Sequence, residues 1–159
     1  ERGRNSSKPS LCSPQFNPFL PHSEPVVNHP KANLTGVIIV DHGSRRASSN
    51  EMLLEVVKAF REKFSFSIVE PAHMEIAEPS IAAAFDACVS QGASHVVVFP
   101  YILSPGRHWS EDIPRLARQA AETHPGVTHV VTRPFGLHPL MLTIINERIA
   151  ECLEADKHR

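Results

Sequence analysis

A chain of 159 residues with a formal net charge of −1 is long enough for one buried core, and it carries no bulk charge to draw it to nucleic acid or an anionic membrane. Its three cysteines, Cys12, Cys88 and Cys152, are far apart and form no C-x-x-C pair. That argues against a disulfide scaffold and against a four-cysteine zinc or iron–sulfur site within one chain, and no apolar run approaches the length of a membrane span.

Residues 1–33 are rich in Ser, Pro and Asn and hold only two acidic residues. The segment has no periodicity and reads as a flexible leader, with the basic, serine-bearing composition of a transit-peptide remnant. From residue 34 the pattern turns regular. "GVIIVDHGS" is a continuous apolar run ending in Asp-His-Gly, the look of a strand buried on both faces. Ser48-x-x-Glu51 offers a capping box for a helix over "NEMLLEVVKAFREKF", with Leu53, Val56, Val57 and Phe60 on its apolar side. "FSIVEPAHMEI" is a second strand. Pro79 suits the first turn of the helix "PSIAAAFDACVSQ", in which Cys88 reads as a small buried hydrophobe, and Gly92 suits its end. "SHVVVFPYIL" is the third strand, residues 111–122 the third helix, "GVTHVVTRPF" the fourth strand and "PLMLTIINERIAECL" the fourth helix.

Strict β-α alternation with nearly continuous apolar strands predicts a single α/β domain over residues 34–154. It is a flavodoxin-like, four-stranded parallel sheet with helices on both faces, followed by a short tail over residues 155–159. Ligands of such sheets bind outside the carboxyl ends of the strands, and histidines collect there. His42 follows the first strand, and His73, with Glu75 and Glu78, ends the second. His108 follows the third strand and His138 the fourth. His138, before Pro139, reads best as a helix cap, and His73 as a hydrogen-bonded core residue. His42 and His108 sit in glycine-containing turns, where Gly43 and Gly106 allow a close backbone approach or a positive φ, and these two are the functional candidates. Imidazole titrates near neutral pH and binds borderline metals, so metal or proton-transfer chemistry follows. No phosphate-binding glycine motif and no G-x-S-x-G occurs, which leaves nucleotide use unsupported. Ser44 beside His42 has no evident third member for a hydrolytic triad.

"VDHGSRRASSNE", "AHMEIAEPSI" and "PYILSPGRHWSEDIPRL", in that order on a β-α frame, resemble the short class II chelatases of the CbiX/SirB kind in their chloroplast form. The resemblance covers residues 36–153. It implies ATP-independent insertion of Fe²⁺ into sirohydrochlorin, with His42 as proton acceptor and metal ligand and His108 as the second ligand. It also implies substrate contacts from Glu75, with Glu78 as the alternative carboxylate, and from Ile102, Leu103, Ser104, Pro105, Gly106 and Arg107. Inserting the ion removes two N–H protons and strips its water, and neutral imidazole serves as both base and weakly held ligand. Arg45, Arg46 and Arg107 are potential partners for the carboxylates of the ring. Trp109 has two readings, stacking on the macrocycle or packing beneath the loop.

By the same resemblance, two α/β halves enclose the substrate in bilobal relatives. One half per chain therefore implies a homodimer. No cofactor beyond the Fe²⁺ substrate is expected, and Cys152 alone supports no iron–sulfur cluster. The expected location is the chloroplast stroma, with the cytoplasm as the alternative. Cobalt or nickel insertion, a non-catalytic metal or tetrapyrrole carrier, and a regulatory module of the same fold are the competing readings.

Overall fold

The computed structural model describes residues 34–157; the leader over residues 1–33 lies outside them. The elements are β1 (Thr35–Asp41), α1 (Ala47–Lys63), β2 (Ile68–His73), α2 (Ile81–Ser90), β3 (His95–Pro100), a π-helical turn (His108–Asp112) running into α3 (Ile113–Glu122), β4 (Thr128–Val131) and α4 (Pro139–Asp156). The four strands form one parallel sheet in the order β2-β1-β3-β4, as the alternation of the sequence predicts.

Parallel strands buried on both sides need apolar residues at every position, and β1 supplies them: Val37 and Ile39 point to one face, Ile38 and Val40 to the other. Ile38, Val40, Val96 and Val98 meet α2 and α3 through Ile81, Phe85, Cys88, Ile113 and Ala117. Val37, Ile39 and Val69 meet α1 through Leu53 and Val57. Gly36 is required by this packing, since a Cβ there would lie 2.8 Å from that of Cys88. Burial, with Glu70 adding to it, pushes the Cys88 thiol up to about 12, so the residue acts as a core hydrophobe.

Helix starts differ from expectation in three places. Helix α1 begins at Ala47 behind Arg46, so Ser48 is already helical and the capping box does not form. In its place Asn50 folds back on Ser44, accepting from its N–H and donating to its carbonyl, each at 2.9 Å. Helix α2 is capped by Ser80, whose hydroxyl accepts from Ala83 N–H, and Pro79 stands before the helix. Helix α3 is preceded by the π-helical turn, so His108 opens a helical segment instead of sitting free in a loop. Gly92, at φ +97°, closes α2 as predicted. Helix α4 runs to Asp156, past the expected boundary at residue 154.

The chain leaves β1 for β2 at one edge, then crosses back to β3 on the other side of β1. The loops after β1 and β3 are therefore neighbours at the point where the strand order reverses, the natural crevice of such a sheet.

Candidate active site

Four hydrogen bonds shape the exit of β1. Asp41 Oδ1 accepts from Gly43 N–H at 2.9 Å and meets Nδ1 of the buried His73 at 2.6 Å. Met74 N–H donates to Asp41 O and Glu75 N–H to His42 O, so the exits of β1 and β2 stay paired beyond the sheet. Gly43, at φ +83°, is the residue this turn demands: a Cβ there would stand 2.1 Å from the Glu75 carbonyl oxygen. Next to it, Ala77 N–H donates to Glu75 O across Ile76, whose φ of +72° is strained for a β-branched residue. Gly106, by contrast, has an ordinary φ and open space around it. Of the two glycines singled out in the sequence, one carries the conformational load.

This turn sets the His42 ring against Glu75, with Nε2 and Oε1 2.7 Å apart. His42 Nδ1 lies 3.2 Å from the Gly43 carbonyl, to which it can only donate. In the neutral ring that leaves the lone pair on Nε2, beside a carboxylate placed to stabilise a proton accepted there. Glu78 is engaged elsewhere, accepting from Ser80 N–H at 2.7 Å at the start of α2. The two carboxylates of the second motif are thus distinguished by position.

His108 arrives from β3. Its loop is tied to the β4 exit, where Phe135 N–H donates to Ile102 O and Gly136 N–H to Leu103 O. Trp109 fastens the other end: its indole N–H donates to Thr132 O at 2.9 Å and its ring is half-buried, which favours packing beneath the loop. Ile113 N–H bonds to His108 O, the signature of the π turn, a distortion common at functional sites. Across that turn His108 Nδ1 lies 3.1 Å from Asp112 Oδ2. A carboxylate on Nδ1 fixes the ring and leaves Nε2 with its lone pair. The hydrogen bond from His108, assisted by the nearby Arg107 and Arg115, holds the Asp112 carboxyl below its usual range against the opposing effect of desolvation.

The two imidazoles meet edge to face, with centroids 5.2 Å apart and planes at 67°. Both are about half exposed. Among the described residues no set of three His, Cys, Asp or Glu side chains is placed to hold a metal ion.

The other predicted contacts fall around this pair. Leu103, Ser104, Pro105, Gly106 and Arg107 are exposed on the loop and Ile102 is half-buried. Arg107 reaches Glu111 at 3.5 Å, and Arg45 and Arg46 stand exposed after β1. His138 caps α4, its Nδ1 accepting from Leu140 N–H, and His73 is a core residue, both as the sequence suggests. Asp41 and Asp112 were not legible as site residues. The signal for Asp112 is its spacing of four from His108, which becomes a contact once the segment is helical.

The model of the CbiX family matches residues 36–152. The chain belongs to the CbiX family. It is 53% identical over 137 residues to the chloroplastic sirohydrochlorin ferrochelatase of Arabidopsis thaliana, covering 86% of this chain and 61% of that protein. The sirohydrochlorin chelatase SirB from Bacillus subtilis subspecies spizizenii, solved with cobalt, superposes with a TM-score of 0.71 at 27% identity, covering 74% of this chain and 50% of SirB. The CbiX protein of Marinobacter aquaeolei VT8 superposes with a TM-score of 0.66 at 30% identity, over 76% of this chain and 98% of its own. The chain thus spans about half to three fifths of the first two relatives. As a CbiX-family domain it keeps both histidine loops inside the matched region. No helix of the described residues is long and apolar enough to cross a membrane.

Proposed function

We propose that this protein is an ATP-independent chelatase that inserts Fe²⁺ into sirohydrochlorin to form siroheme, working as a homodimer in the chloroplast stroma. The observation that carries the reading is the pair His42 and His108, brought edge to face at the reversal point of the sheet, each with its own carboxylate. The 53% identity to a chloroplastic sirohydrochlorin ferrochelatase supports the substrate and the compartment.

The two rings take different parts. His108, oriented by Asp112, offers Nε2 to the incoming ion and helps strip its water. His42 and Glu75 accept a proton from a pyrrole N–H: the base is the imidazole, and the carboxylate beside it stabilises the imidazolium that forms. Two protons leave the ring as the dication enters, one to His42 and the other to solvent, so charge balances without a nucleotide. The loop of Ile102, Leu103, Ser104, Pro105, Gly106 and Arg107 forms one wall for the macrocycle, and Arg45, Arg46 and Arg107 face its carboxylates. Cobalt insertion is the second reading, favoured by the cobalt held in the B. subtilis SirB structure and by the weak discrimination of imidazole between these ions.

The test is anaerobic. Protein at catalytic concentration is mixed with excess sirohydrochlorin and Fe²⁺, then with Co²⁺, without ATP, and the visible spectrum is followed. Multiple turnovers, lost in His42→Ala and in His108→Ala, are expected. A spectral change that stops at one equivalent marks a carrier, and variants as fast as the parent overturn the mechanism.

A further inference from the structure

The two faces of the sheet are covered unequally. Helices α2 and α3 pack side by side on one face, while α1 on the other contacts β1 and β2. Over β3 the α1 side holds an apolar groove of about 360 Å³, lined by Val37, Ile39, Val97, Phe99, Tyr101 and Phe135 among others. Val56 and Phe60 of α1 wall one side of it, and its β3 side carries no helix among the described residues. In a doubly wound sheet with two helices already on the opposite face, a helix after β4 belongs here.

Helix α4 goes elsewhere. None of its 18 residues is buried, and it makes no packing contact of the kind that holds α1, α2 and α3 to the strands. Its composition is that of a docked helix. Leu142, Ile145, Ile149 and Leu153 recur at spacings of three and four and form one apolar stripe, each 54–58% exposed. Glu147, Arg148, Glu151 and Glu154 lie towards the other side, with Arg148 and Glu151 paired at 2.8 Å. The chain before α4 is tied down as far as Gly136, which donates to Leu103 O. Only Leu137 and His138 then set the helix direction, and they lead it off the domain.

We propose that α4 docks in the groove of a second copy of this chain, and that the second copy returns its own α4, so that the dimer is held by exchanged C-terminal helices. One chain presents both an uncovered apolar half-face and a helix with a matching unpartnered stripe, and the short hinge keeps the two apart. Four aliphatic side chains of about 100 Å² exposed each, buried with their groove in both copies, remove on the order of 1,000 Å², the area from which specific interfaces begin. Closed exchange of an identical element is a low-cost route to a two-fold dimer. The inference rests on the homodimer reading and adds how the dimer is made.

The test is solution mass by light scattering on the full chain and on a variant with six Gly/Ser residues inserted between Gly136 and Leu137, both refolded from denaturant. A longer hinge lets α4 fold back onto its own sheet. The parent is expected at about 35 kDa, twice the 17.6 kDa chain, and the insertion variant at half that mass with unchanged helical circular dichroism. The double variant Leu142→Asp/Ile149→Asp, altered only at exposed positions, is expected to be monomeric as well. A monomeric parent overturns both the dimer and the exchange. A parent and insertion variant that are both dimers overturn the exchange alone. Mass is read without substrate, so neither result bears on iron insertion.

Discussion

Gly43→Ala is the sharpest perturbation of the site, and Gly106→Ala is its control. At Gly43 two penalties combine. The left-handed φ of +83° costs a residue with a Cβ about 1 kcal/mol or more. The new methyl would also stand 2.1 Å from the Glu75 carbonyl oxygen, so the exits of β1 and β2 must part by roughly 1 Å to restore van der Waals distance. Overpacking of this kind costs about 1–3 kcal/mol, and the two together come to roughly 3 kcal/mol of stability. The same 1 Å displaces His42 from Glu75, and a misplacement of that size lowers a rate about 10²-fold. Gly106 has no positive φ and nothing within 4 Å of an added methyl, so its change is expected to stay within about 0.5 kcal/mol. Urea denaturation followed by circular dichroism reads the first quantity, and the initial rate of iron insertion reads the second. A Gly43→Ala protein with the parent's midpoint and rate, or a Gly106→Ala protein damaged as badly, refutes the assignment of the turn.

Asp112→Asn removes the carboxylate that orients His108, and is expected to lower the rate at saturating sirohydrochlorin about 10- to 100-fold with KM unchanged, as steady-state kinetics will read. Trp109→Phe deletes the indole bond to Thr132 O, and the denaturation midpoint should fall by the equivalent of about 1 kcal/mol. His129 is pushed below the ordinary imidazole range by burial first, then by Arg118 and His95. The unfolded chain therefore takes up a proton before the folded one, and stability is lost as pH falls through about 6.5 and on to the lower folded value. Midpoints measured across that range should decline less steeply in His129→Leu than in the parent; an equal slope assigns the acid sensitivity to other groups.

The architecture was legible because apolar runs of strand length alternate with helix-length segments, and the histidines stood out because one ends the second strand and one follows each of the other three. What brings His42 to His108 is the reversal of strand order, a property of the whole sheet that no local window contains. Asp112 escaped notice because the sequence starts the third helix at residue 111 and leaves His108 in the loop before it; only the π turn, fastened by Trp109 to Thr132, brings residues 108 and 112 to one face. Ser48 misled for the opposite reason. Its capping-box spacing is real, but Asn50 binds both backbone groups of Ser44 and starts the helix earlier. For α4 the stripe of Leu142, Ile145, Ile149 and Leu153 tells which side is apolar and nothing of what covers it.

The unequal surroundings of the two imidazoles bear on how an ion passes through such a site. His108 is held from behind on Nδ1, so its outward nitrogen stays available whatever the state of the ring beside it. The Nε2 of His42 faces Glu75, and a proton accepted there closes that nitrogen to a cation. Metal binding by His42 and proton storage by His42 and Glu75 are therefore mutually exclusive uses of one nitrogen. In the proposed chelatase reaction that exclusion has a use: an ion held by both rings would compete with protons, and protons released by the macrocycle would return His42 to Glu75 and loosen the ion as the ring takes it. A resident metal site gains from a third and fourth protein ligand; a site of passage gains from having one firm ligand and one that a proton can displace.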